Sequence, residues 1–144
     1  MTPNALGGAG MNGGLIDWRE LLLTAGGRTP RAPFWIAVAM LFALSALYEA
    51  LAGPTLKLLT FWFIYPALLF ASACVLSKRL HDRGRSGWWA ALVLLAVVMI
   101  WPTPHGVRAA LAWPVLIWAL IELGVMAGEQ GANRFGPNPA AVPA

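Results

Sequence analysis

Charge is what this sequence has least of. Only 11% of its 144 residues are Asp, Glu, Lys or Arg, against roughly a quarter in soluble domains. So few charges cannot cover a water-facing surface when 59% of the residues are apolar and mean hydropathy is +0.67. A bilayer is the simplest solvent for such a chain. Cysteine is nearly absent: Cys74 stands alone inside an apolar run. That excludes an internal disulfide, and no Cys/His set has zinc spacing, so Cys74 reads as a small packing residue. Acidic residues are scarcer than basic ones, six against ten, leaving a net charge of +4. On a soluble protein that excess would point to nucleic acid. Here the cations lie between apolar runs, so membrane lipids with anionic headgroups are the expected partners, and nucleic acid is not. No cofactor is expected.

What the chain has in quantity is tryptophan, eight in all, a residue that gathers at membrane interfaces. It also has four apolar runs. The sequence predicts an all-α polytopic membrane protein: a four-transmembrane-helix bundle with an N-terminal interfacial helix. Residues 1–14, rich in Gly and Asn and without charge, are expected to be disordered, with Met11 an alternative start. They lack the basic n-region of a signal peptide. Leu15 to Ala25 predicts a short helix with Asp17 as cap and Glu20 completing a capping box. It is too short to span, so it is placed along the membrane surface, with packing under the bundle as the alternative.

Spans are expected at about 33–52, 56–76, 88–102 and 107–127 of a membrane domain covering 15–139, with 140–144 as a tail. The third is short, bounded by Trp88 and Trp101. Ala39, Ala43, Ala46 and Ala50 form a small-residue stripe, as do Ala67, Ala71 and Cys74, and Gly124 and Gly128 have GxxxG spacing; all three predict close helix packing. Pro66 is expected to kink the second span. Phe61, Trp62, Phe63 and Tyr65 read as an interface belt, and Glu49 and Lys57 as a pair across the first hairpin. Eight of the ten Lys and Arg fall in the N-terminal segment, the 78–85 turn and the tail. The positive-inside rule then puts both termini and that turn in the cytoplasm.

The densest charge lies in Ser77 to Trp89, read as a basic turn between the second and third spans. Lys78 and Arg79 are expected to continue the helix and snorkel, Gly84 to stop it, and Ser86 to cap the next helix rather than serve as a nucleophile. His81 and Asp82 could handle a proton or a metal. The structural alternative, in which Asp82 pairs with Arg28, Arg31, Arg79 or Arg85 and knits the helix ends together, is favoured. Arg79, Arg83 and Arg85 beside Trp88 and Trp89 suit an anionic headgroup, or topology control alone. Glu122 is an intramembrane carboxylate about 9 Å from its helix end. It is a candidate functional group, or it snorkels or pairs with Lys78 or Arg79. No catalytic constellation is found. A non-enzymatic module binding anionic lipid or a membrane partner protein is the leading function, and a small oligomeric transporter or channel using Glu122 the alternative.

Three segments resemble the DUF805 family of small bacterial inner-membrane proteins. They are Gly27-Arg28-Thr29-Pro30-Arg31-Ala32-Pro33-Phe34-Trp35, then Lys78-Arg79-Leu80-His81-Asp82-Arg83-Gly84-Arg85-Ser86-Gly87-Trp88-Trp89, then Gly131-Ala132-Asn133-Arg134-Phe135-Gly136-Pro137-Asn138-Pro139. The resemblance implies a multi-pass inner-membrane protein and carries no molecular activity with it. The glycine-rich extension before Leu15, and Pro33 itself, depart from the family pattern.

Overall fold

The computed structural model describes residues 11–12 and 15–140, with side chains from residue 15 onward. The expected disorder of residues 1–14 therefore lies outside the described residues except at Met11–Asn12. These two form a strand, β1, antiparallel to β2, Leu15–Ile16. Everything after is helical until the tail: α1 Trp18–Leu23, α2 Arg31–Leu51, α3 Pro54–Asp82, α4 Trp89–Ile100 and α5 Gly106–Ala119, which a π-turn extends over Leu120–Val125.

Local chemistry sets these boundaries. Asp17 accepts from the Glu20 amide at 3.1 Å and starts α1. Pro33 and Pro54 fall in first turns, where no amide donor is needed. Inside the apolar runs, Ser45 and Thr60 return their hydroxyls to the carbonyls four residues back, Leu41 and Leu56. A polar group in lipid must be satisfied internally. The α2–α3 hairpin is closed by Lys57 and Glu49 at 2.6 Å, as expected, and the Tyr65 hydroxyl also donates to Glu49. At the other end of α3, Gly84 adopts φ +68, a left-handed stop that suits glycine.

Several expectations need correcting. α1 is six residues, shorter than expected, and Leu21 is fully buried where it packs on α3. The helix therefore packs one face on α3, while Trp18, Arg19 and Leu23 stay exposed. The second span is longer than expected because Ser77 to Asp82 are still helical; the turn itself is only Arg83 to Trp88. The alanine stripe of α2 faces outward: Ala39, Ala43 and Ala50 are exposed. The packing face of α2 is another one, with Phe34, Ala37 and Leu41 meeting Val75 and Leu80 of α3 and Leu123. Gly128 lies past the end of α5, so Gly124 and Gly128 do not form a helix-packing GxxxG face.

Three helices, α2, α3 and α5 with its π-turn, are long and apolar enough to cross a membrane; α4 has 12 residues. Only 11–22% of their apolar stretches is buried inside the protein. The rest, including Trp62 and Phe63, faces outward. α4 runs from Trp89, beside Trp118, to Trp101, beside Phe42.

Candidate functional site

The fold folds the charge inward at one end. α2 begins there, α3 ends there, and the π-turn after α5 brings the tail back over both. A helix leaves its last carbonyls without amide partners. Here five consecutive carbonyls past α5 each accept from a side chain. Leu123 receives Arg79 Nε at 2.7 Å, Gly124 the Trp35 indole at 3.1 Å, and Val125 Arg31 at 3.0 Å. Met126 receives a second Arg79 nitrogen at 2.7 Å, and Ala127 receives Arg83. Cations at a helix C-terminus also oppose its dipole.

Asp82 is the hub. It is 3% exposed and stands between two guanidinium groups, Arg28 at 3.0 Å and Arg79. Arg28 goes on to the carbonyls of Glu129 at 2.6 Å, Gly131 at 2.8 Å and Gly136 at 3.3 Å. Asp82 thereby ties the entry to α2, the end of α3 and the tail into one unit. Of the four partners expected for it, Arg28 and Arg79 are used. Arg31 caps Val125, and Arg85 turns to Glu122 at 2.9 Å.

His81 does not act with Asp82. Successive helix residues point about 100° apart, and the two engage separate groups. His81 meets the Gly27 carbonyl at 3.1 Å and stacks on Phe135 with ring centres 3.9 Å apart. Among the described residues, no three His, Cys, Asp or Glu side chains gather as a metal-holding group.

Lys78 and Arg79 do not snorkel; both are fully buried. α1 and the tail close over them, and Lys78 donates to the Glu20 carbonyl. Glu122 is not paired with either. It accepts from Arg83 at 3.3 Å and Arg85 at 2.9 Å, since Arg79 is already committed to Asp82 and to backbone. The expected cluster of arginines on Trp88 and Trp89 is rearranged too. Trp88 is 85% exposed, while Arg85 lies over Trp118, 5.7 Å from its ring centre, with Trp89 alongside. Trp88, not Ser86, stands at the cap position of α4, and the Ser86 hydroxyl accepts from the Trp88 amide at 3.5 Å.

The glycines are placed by close approach. A Cβ on Gly128 would enter the Asp82 carboxylate, one on Gly124 would meet the Trp35 ring at 2.5 Å, and one on Gly87 would meet Ser77 and His81. The sequence placed the Asn133–Pro139 tail in the charged layer beside the arginines without assigning its residues, and Glu129 went unremarked as a site residue. Asn133 donates to the His81 carbonyl at 2.9 Å and to Glu129 at 2.7 Å. Asn133 and Phe135 belong to the third resembling segment, and Glu129 lies just before it.

Apolar helices open to their surroundings and closed at one end by an internally paired cap define an α-helical membrane protein. The chain belongs to the family DUF805, protein of unknown function, whose model matches residues 22–137. All three resembling segments are in this cap. Among curated proteins, the uncharacterized protein YiiR of Escherichia coli K12 is 37% identical over 130 residues, 82% of this chain and 87% of that protein. The inner membrane protein YhaH of the same organism is 32% identical over 127 residues, 81% of this chain and 88% of that one. No solved structure matches the chain.

Proposed function

We propose that this chain is a four-crossing inner-membrane protein whose charged cap faces the cytoplasm and binds anionic lipid headgroups, without catalysing a reaction. The observation that carries this is the uneven charge of its two ends. The cap end holds eight Lys and Arg against five Asp and Glu; the opposite end holds Lys57 and Arg108 against Glu49. Most cap cations are committed to carbonyls and carboxylates, yet the cap as a whole keeps a positive excess, and Trp88 in its turn is exposed. Basic residues at the membrane surface attract anionic headgroups by about 1 kcal/mol each. The inner-membrane location is supported by the name of the relative YhaH, and four crossings by the apolar helix α4 lying between the cap turn and the 101–105 turn. α1, folded under the cap, would lie at the headgroup level.

The test is lipid enrichment. The protein is reconstituted in nanodiscs of mixed phosphatidylglycerol and phosphatidylcholine and analysed by native mass spectrometry. Enrichment of phosphatidylglycerol over its bulk share is expected. Bound lipid that mirrors the bulk mixture would remove the proposal. Docking to a membrane partner or to a second copy is a further reading, favoured by the outward alanine stripe of α2. Transport through Glu122 has less support. Two arginines hold that carboxylate at the cap, and it does not line the apolar cavity of about 380 Å3 between α2, α3 and α4.

A further inference from the structure

Resting on that reading of the cap, we infer that the headgroup site is the open cavity between the start of α2 and the returning tail, and that Arg31 is its principal anion-binding group. The sequence had drawn most attention to Arg79, Arg83 and Arg85 beside Trp88 and Trp89, with Arg28 and Arg31 in the same charge cluster. This cavity measures about 450 Å3, and its lining includes Arg31, Arg79, Asp82, Gln130 and Asn138.

Its floor is already spent on structure. Arg79 and Asp82 bind each other, Arg28 and backbone carbonyls. Those three side chains still leave one positive charge in excess. On the wall, Arg31 uses a single nitrogen, Nη1, on the Val125 carbonyl and leaves the rest of its guanidinium to the opening. Asn138 accepts from the Ala140 amide through Oδ1, so its NH2 group is left as a donor. Gln130 is exposed and has no hydrogen-bond partner among the described residues. A guanidinium and two amides converge on a concave site carrying two net positive charges from Arg28, Arg31, Arg79 and Asp82. Several donors around positive charge fit an oxyanion with several acceptor oxygens, and a guanidinium is the side chain best shaped to hold a phosphate.

The ligand class is therefore a phosphate group. Because Arg31 opens an apolar helix of 21 residues, a lipid phosphodiester at the bilayer surface is within reach. Free inorganic phosphate shares the chemistry. The turn offers less: Arg83 and Arg85 are both drawn onto Glu122.

The experiment compares wild type, Arg31→Gln, Gln130→Ala with Asn138→Ala, Arg85→Gln, and Arg108→Gln as a control at the other end. Each is held in phosphatidylglycerol–phosphatidylcholine nanodiscs and, separately, in detergent with inorganic phosphate. Thermal unfolding checks that each variant is folded. Arg31→Gln is expected to weaken phosphatidylglycerol retention roughly tenfold, as loss of a charge-assisted contact implies. The double amide variant should weaken it less, and Arg108→Gln not at all. Phosphate adducts that need Arg31, without any lipid preference, would uphold the site and assign it to free phosphate. Retention unaffected by Arg31→Gln but lost in Arg85→Gln would move the headgroup to the turn, overturning this site while leaving the proposed function standing. Wild type with neither lipid preference nor phosphate adducts would overturn both.

Discussion

The two ends of α3 each carry an ion pair, and they are built on opposite plans. At the α2–α3 hairpin, the side chains of Lys57 and Glu49 are 34% and 24% exposed, and the pair is local to one turn. At the cap, Arg79 and Asp82 are 0% and 4% exposed, and the same carboxylate also holds Arg28 from 54 residues away. The first pair can exchange its partners for water. The second is fixed in place, because both of its guanidinium groups are also bonded to backbone carbonyls past α5. Among the described residues, no buried side-chain nitrogen or oxygen lacks a hydrogen-bond partner. Burial of charge is tolerated only when every donor is satisfied, and the cap meets that condition by consuming the bare carbonyls past α5. One end is a surface pair, the other an internal joint.

Changes at the two ends should differ in size accordingly. Asp82→Asn keeps the shape but leaves two buried guanidinium groups without their anion. It should cost about 3–5 kcal/mol, read as a large drop in thermal midpoint or in the yield of folded protein. Survival at wild-type stability would show that water reaches the joint and would erase the contrast. Gly128→Ala places a methyl group against that fixed carboxylate; overpacking of this kind should cost about 1–3 kcal/mol, measurable by the same unfolding assay. Phe135→Ala removes the stack on His81 and should cost about 0.5–1.5 kcal/mol. It should also raise amide hydrogen exchange in the 129–136 tail, since Asn133 sits between them. Lys57→Gln, at the exposed pair, should cost about 0–1 kcal/mol. A loss there as large as that of Asp82→Asn would put the two ends on the same plan.

Much of the fold was legible in the sequence, because apolar runs near twenty residues announce crossing helices and Pro, Gly and Asp mark their ends. Asp17, Gly84 and the Glu49–Lys57 pair are where chemistry placed them. The direction of the cap arginines was not legible. Snorkelling was the natural expectation for Lys78 and Arg79, since nothing in their own segment shows that the Glu20 carbonyl, 58 residues back, will take Lys78 or that carbonyls 44 and 47 residues on will take Arg79. The alanine stripe misled for a related reason. Small residues permit close approach, but large ones gain more by burial, and α2 turned Phe34 and Leu41 to the core. The internal order of segment 131–139 was not legible, because it comes from Arg28 and His81, more than fifty residues upstream.

The most direct test asks whether the two ends lie in different compartments. Single cysteines are introduced by Ser86→Cys in the cap turn and by Thr103→Cys in the opposite turn, each in a Cys74→Ala background. Intact cells are then treated with a membrane-impermeant maleimide. The account predicts that Thr103→Cys is labelled and that Ser86→Cys is labelled only after lysis. Labelling of Ser86→Cys in intact cells, or of both positions alike, would contradict it.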